Sequence, residues 1–339
     1  MTTPSARRRT KDGEKLAAAA RIFLHCGDDF GAMRQAAEQM YGVFSTLSGV
    51  TADDCTSGTI MLPSGKAIAP GAAAHCLLEF RRTTVFVRGL LKAINTVRRK
   101  KRPEAVRILY AGCGPYATLI TPLLTHFAPK ELQVDLLDIN QDSLNSARKI
   151  VTALGFDGFV GNYLLTDAAT YRIPLGENYD ILLTETMQAC LERETQVAIV
   201  QNLVPQLPGE ALLVPEAVVI DARLTDPQQE MAQFFYSEGP RLPPQRILLG
   251  EVMRLTRDCL DPGGLVCQVA IPAEIATCVE LKLFTTVRVF GDEVLKEHDS
   301  SITLPKKYHD FRQRPARRIL FWYDRTANPK LHAMPGDES

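Results

Sequence analysis

Between residues 104 and 221, short apolar runs alternate with stretches whose apolar positions recur at helical spacing. The runs at 106–111, 132–138, 158–165, 179–184 and 210–220 predict strands, and the periodic stretches at 115–127, 141–154 and 190–205 predict helices. Asn140 and Asp142 stand where helix 141–154 needs a cap, and Gly155 stands where it stops. Strands separated by helices in this way predict an α/β fold: a Rossmann-like, mostly parallel sheet with helices on both faces. Upstream, Leu16, Ala19, Ile22 and Phe23, then Met33, Ala37, Met40, Tyr41 and Phe44, predict two helices joined by a Gly27-Asp28-Asp29 turn. A looser stretch (48–70), a long helix (71–97) and a basic linker (98–103) follow. Beyond Asp221 the chain is broken at Asp226-Pro227, Gly239-Pro240 and Pro243-Pro244, and alternating runs at 266–271, 280–290 and 319–323 predict antiparallel strands. The pattern divides the chain into a helical cap with a disordered basic N-terminus (1–103), a nucleotide-binding domain (104–221) and a β-rich region (222–339).

Composition narrows the classes. A chain of 339 residues, 45% hydrophobic, has enough apolar surface for a large core. The formal net charge is zero, which argues against a nucleic-acid partner. The basic cluster Arg7, Arg8, Arg9 and Lys11 within residues 2–15 reads as a solvated tail. No apolar run reaches the ~18 residues of a membrane span and no signal-peptide core follows the arginines, so no membrane is expected. The eight cysteines lack a Cys-x-x-Cys pair, and Cys76, Cys190 and Cys267 sit in apolar runs; reduced thiols in a cytoplasmic protein are expected. Histidines are too dispersed for a metal site, so no metal is expected. The partner expected is a small-molecule substrate, and the chain leaves a homodimer open.

The candidate chemistry begins at the strand-to-turn sequence Arg107-Ile108-Leu109-Tyr110-Ala111-Gly112-Cys113-Gly114-Pro115-Tyr116-Ala117. Glycines at such a turn let backbone approach a ligand. The next strand ends in Asp138, about 25 residues on, a spacing at which an acid meets a ribose diol. Glu185 follows strand 179–184 directly, at the tip where parallel sheets place ligand groups.

Taken with Thr166-Asp167 and Tyr179-Asp180-Ile181-Leu182-Leu183-Thr184-Glu185, this turn resembles the class I S-adenosylmethionine-dependent methyltransferase fold over residues 104–221. The resemblance implies S-adenosylmethionine as cofactor or substrate, held around Ala111, Gly112, Cys113, Gly114, Asp138, Ile139, Asn140, Asp167 and Thr184. Gly112 and Gly114 would meet the amino-acid end, Asp138 the ribose hydroxyls and Asp167 the adenine amine. Two narrower resemblances compete. Thr184-Glu185-Thr186-Met187 with Glu194, and Gly209-Glu210-Ala211-Leu212-Leu213-Val214-Pro215, are similar to protein arginine methyltransferases, in which paired carboxylates hold a guanidinium. No Trp follows the first glutamate here and no His-Trp loop appears; Glu194 also reads as an ordinary helix-face acid. The glycine loop, with Tyr110, Pro115, Tyr116 and Leu119, instead resembles nicotianamine synthase and azetidine-2-carboxylate synthases, which attack the aminobutyrate carbon and release methylthioadenosine.

From the second resemblance, the Tyr116 ring is expected to fold the aminobutyrate arm back so that its own amine closes a ring, giving azetidine-2-carboxylate. Tyr110 and Tyr116 would stabilise the cationic transition state, with Tyr163, Tyr41, Phe44 and Phe86 as further aromatic candidates. Arg82 would clamp a carboxylate. The alternative is a methyltransferase acting through Glu185 on a small amino-acid-like or guanidino acceptor and yielding S-adenosylhomocysteine. A non-catalytic binding subunit is the third reading, and the retained Gly112, Gly114, Asp138 and Asp167 count against it.

Overall fold

The computed structural model describes residues 11–53, 55–101, 104–233, 243–258, 267–313 and 315–336. Arg7, Arg8, Arg9 and the Gly239-Pro240 break lie outside the described residues. The two N-terminal helices form as expected: α1 (Lys11–His25) buries Leu16, Ala19 and Phe23 against α2 (Phe30–Ser48). Asp29 caps α2, its carboxylate accepting from Ala32 N–H at 2.9 Å. Residues 11–15, expected in the tail, are instead the first turn of α1, where Asp12 and Glu14 suit the helix N-terminus.

The stretch at 48–70, expected to be irregular, contains a hairpin of β1 (Ile60–Leu62) and β2 (Gly65–Ala67). The single helix expected over 71–97 is two, α3 (Pro70–Cys76) and α4 (Phe80–Lys101), because Thr83 Oγ1 donates to Leu77 O at 3.0 Å and closes a turn between them. Helix α4 also runs on through Arg98–Lys101, so residues 98–101 of the expected basic linker are its last turn, and 102–103 lie outside the described residues.

The core is a five-stranded parallel sheet of β3 (Val106–Ala111), β4 (Leu132–Asp138), β5 (Val160–Leu165), β6 (Ile181–Thr184) and β7 (Leu212–Val214), ordered β5-β4-β3-β6-β7. Its central strands are almost wholly apolar and buried, as a sheet covered on both faces requires. Helix α5 (Gln141–Ala153) follows β4, capped by Asn140. The helix expected over 115–127 does not form: the chain there makes turns and a 3₁₀ turn at Leu123–Thr125. Pro115 and Pro122 lack the N–H donors a helix needs, and Ala117 is left-handed at φ 43°. The helix expected over 190–205 starts only at Gln196 (α6, Gln196–Leu203), because Cys190, Leu191 and Arg193 are all left-handed.

The strand expected at 210–220 is two strands in two sheets. β7 closes the parallel sheet; then, past a cis Val214–Pro215 bond, β8 (Ala217–Thr225) enters an antiparallel sheet. That sheet, β12-β11-β8-β9 with β13 on β11, comprises also β9 (Arg246–Thr256), β11 (Glu280–Phe290), β12 (Glu293–Leu295) and β13 (Lys306–Asp310). A short helix α7 (Pro227–Ala232) sits behind the Asp226 cap. A second antiparallel sheet joins β10 (Cys267–Ala270), β14 (Arg318–Asp324) and β15 (Lys330–Gly336). Helix α4 packs against β3 and β7 on one side and β11 and β12 on the other, tying the cap to both sheets. No helix among the described residues is long and apolar enough to cross a membrane.

Candidate functional site

Four parallel strands deliver residues at or just past their C-terminal ends to one cavity of about 540 Å³. Gly112 follows β3, Asp138 ends β4, Asp167 lies just past β5 and Glu185 just past β6, and all four line it. β4 and β6 flank β3 on opposite sides, so the cavity lies in the crevice where the strand order reverses. The cap closes it with α3 and the start of α4, and the antiparallel region contributes Ser301, Ile302, Leu304 and Lys306.

The glycine turn is a backbone cradle. Gly112 is left-handed at φ 72°, and a Cβ there would overlap Thr186 Cγ2. Asp138 Oδ2 accepts from Gly114 N–H and Oδ1 from Asn140 N–H, each at 2.8 Å. The carboxylate lines the cavity and keeps accepting capacity beyond these bonds. Burial pushes the Asp138 carboxyl up, while the backbone N–H groups of Asn140 and Gly114 pull it down. Cys113, Gly114, Ile139 and Asp167 also line the cavity. Ala111 and Thr184 are buried beneath it and do not, and Asn140 is spent elsewhere: it caps α5 and donates to Gly58 O at 2.8 Å.

Tyr116 corrects the sequence expectation. Its ring does not line the cavity; it is fully buried on the far side of the turn, against Phe44 (centroids 5.4 Å) and Tyr41 (6.3 Å), and its hydroxyl donates to Val50 O at 2.6 Å. The turn through left-handed Ala117 directs the side chain into the cap helix rather than toward a ligand. The other aromatic candidates are likewise occupied: Arg148 covers Tyr163, Tyr41 accepts from Ala52 N–H, and Phe86 is core. Tyr110 does line the cavity, and burial holds its phenol well above its ordinary range, as a neutral group.

The charged side of the cavity is built around Arg82. Its guanidinium pairs with Glu185 and, at 3.2 Å, with Glu79. Glu79 in turn accepts from Ser301 N–H and Oγ at 2.8 and 2.6 Å, joining α4 to the antiparallel region. Arg82 therefore faces glutamates rather than standing free as a carboxylate clamp. Burial pushes the Glu185 carboxyl up to about 7, against the pull of Arg82. Its Oε1 is buried without a hydrogen-bond partner. Glu194 is brought into the same cavity, buried and likewise raised by desolvation, with a Gln188 hydrogen bond working against it. It lies in the loop before α6 and not on a helix face.

The loop carrying Glu194 is shaped by distant contacts. Arg193 O accepts from Lys66 N–H and Arg193 N–H donates to Pro329 O, both at 2.6 Å. Cys190 N–H donates to Thr285 Oγ1 at 2.9 Å, Tyr323 Oη donates to Leu191 O at 2.7 Å, and Glu192 pairs with Lys306 and Tyr308. These contacts hold three non-glycine residues in a conformation that costs roughly 1–3 kcal/mol each. Sequence reasoning missed Glu79 and Lys66. The Glu79–Arg82 spacing of i, i+3 at a helix start was a usable signal for the first; Lys66 carried none.

Among the described residues no group of acids, histidines and cysteines is placed to hold a metal. No family model matches the chain, and no curated protein matches it by sequence. Its structure is similar to the Trypanosoma brucei PRMT1 enzyme–prozyme heterotetrameric complex with AdoHcy, with a TM-score of 0.53 and 14% identity over 80% of this chain and 94% of that one. The chain therefore shares a Rossmann-like α/β fold with that structure, with an appended antiparallel region.

Proposed function

We propose that this protein is an S-adenosylmethionine-dependent methyltransferase acting on a nitrogen of a small amino-acid-like or guanidino acceptor. The observation that carries the reading is Glu185: a buried carboxylate with one oxygen unpartnered, beside Glu194, in the cavity that also holds the glycine turn and Asp138. Three glutamates (Glu79, Glu185, Glu194) face Arg82 and Lys66 there, while Lys306 is paired with Glu192, so the wall has one acid left over for a cationic group. The residues present fit the cofactor: a backbone cradle that a side chain at 112 would fill, and an acid with free accepting positions. S-adenosylmethionine, when bound, supplies a methyl group on a cationic sulfur.

The chain's own residues do the rest. Asp138 holds the ribose, Asp167 faces the adenine end, and the Gly112–Gly114 backbone receives the amino-acid end. Glu185 and Glu194 orient the acceptor nitrogen, and Arg82 fixes Glu185 in place. Glu185 Oε1, with a carboxyl near neutrality, takes the proton the nitrogen gives up as it is alkylated. Cyclisation of the aminobutyrate arm has lost the observation that motivated it, since the Tyr116 ring lies outside the cavity.

Product analysis tests the reading. The protein is incubated with S-adenosylmethionine, with and without a panel of guanidino and amino compounds. S-adenosylhomocysteine appearing only with an acceptor supports methyl transfer; methylthioadenosine appearing without one restores cyclisation.

A further inference from the structure

Three cationic side chains line the cavity: Lys66, Arg82 and Lys306. Arg82 is paired with Glu79 and Glu185, and Lys306 with Glu192. Lys66, half-buried beside Glu194, acts on that carboxylate through its charge but makes no close ion pair among the described residues. Its position is not left to a mobile rim. Lys66 pairs in parallel with Glu194, its N–H bonded to Arg193 O at 2.6 Å. The preceding Gly65, at φ 135°, brings the hairpin so close that a Cβ would lie 2.9 Å from that same carbonyl. The β1–β2 hairpin is thus locked to the carboxylate loop, and the Lys66 backbone is fixed beside Glu194, on whose carboxylate the lysine's charge acts.

From this juxtaposition we infer that the acceptor is a zwitterion, a free amino acid with a cationic side chain, whose carboxylate is received by Lys66 while its side-chain nitrogen is held by Glu185 and Glu194. The inference rests on the methyl-transfer reading and deepens it. A ligand carrying only positive charge would satisfy the unpartnered Glu185 Oε1 but would bring a second cation toward Lys66. A ligand with both signs satisfies both ends. The transfer balances: the cationic nitrogen first passes a proton to Glu185, the lone pair so freed forms the new N–C bond, and the S–C bond breaks with its electrons left on sulfur.

The test is calorimetric titration of the full chain, saturated with S-adenosylhomocysteine, by four probes: L-arginine and agmatine, L-lysine and cadaverine. Each pair shares its cationic group and differs in the carboxylate. At least one amino acid is expected to bind, with its decarboxylated partner weaker by about tenfold or more. Lys66→Met should abolish that ratio by weakening the amino acid, Lys66→Arg should keep it, and both should leave S-adenosylhomocysteine affinity unchanged. Equal binding within each pair, no binding by any probe, or a ratio that survives Lys66→Met overturns the inference. Failure of the methyl-transfer reading shows separately, as no S-adenosylhomocysteine formed from S-adenosylmethionine in the presence of whichever probe binds.

Discussion

Arg82 near the start of α4 and Glu185 past the end of β6 are 103 residues apart in sequence and form a buried ion pair in the cavity wall. That pair joins the cap to the tip of the parallel sheet, and it sets the state of the carboxylate on which the proposed acceptor site depends. Burial alone would favour a neutral Glu185; Arg82 opposes this, leaving the group near neutrality.

Removing Arg82 should therefore destabilise the fold in a pH-dependent way. Arg82→Met leaves Glu185 buried and Glu79 short of a partner, at a cost of about 3–5 kcal/mol for a broken buried pair. At low pH Glu185 takes up a proton and the cost shrinks. Denaturant unfolding at pH 6 and pH 8 checks this: the loss should be larger at pH 8. An equal loss at both would show that Glu185 is not the group left uncompensated.

Acceptor binding should follow the ionisation of Glu185. The carboxylate is the form that holds a cation, so affinity is expected to weaken as pH falls through about 7, with a limiting slope of about tenfold per unit. Stability runs the other way. A carboxyl raised in the folded state from near 4.5 contributes stability that is complete below that value and lost as pH rises through about 7. Titrations between pH 5.5 and 8.5 on the parent and on Glu185→Gln separate the two, because the glutamine variant should bind weakly and lose the step near pH 7.

Asp138→Ala removes the acceptor of the Gly114 and Asn140 N–H groups together with the proposed ribose ligand. Hydrogen bonds to a charged group are worth about 1.5–3 kcal/mol, so S-adenosylhomocysteine should bind about 10- to 100-fold more weakly, as read by calorimetry. Unchanged affinity would mean the nucleoside lies elsewhere.

Tyr116→Phe should cost about 1 kcal/mol of stability by leaving Val50 O without its donor. Cofactor affinity should not move. A variant that folds as well as the parent but binds S-adenosylhomocysteine differently would return Tyr116 to the ligand.

The glycine turn, Asp138 and Glu185 were legible in the sequence because each is tied to a strand end, and strand ends follow from local apolar runs. The α1–α2 turn was legible for a similar reason: Asp29 caps a neighbouring helix. Tyr116 was not legible. Its place in the sequence is next to the glycines, but the side of the turn its ring occupies depends on the left-handed Ala117 and on a carbonyl 66 residues away. Glu194 was only half legible, since its loop is shaped by Lys66, Thr285, Tyr323 and Pro329 rather than by its own residues. The helix expected over 115–127 failed because apolar spacing outweighed two prolines in the reading but not in the chain.

A structure of the protein crystallised with S-adenosylhomocysteine tests the central claim most directly. The ribose is expected on Asp138, the adenine beside Asp167, and the sulfur turned toward Glu185 and Glu194 with open space between. A sulfur directed away from both glutamates, or an aminobutyrate arm folded back onto the sulfur, would contradict it.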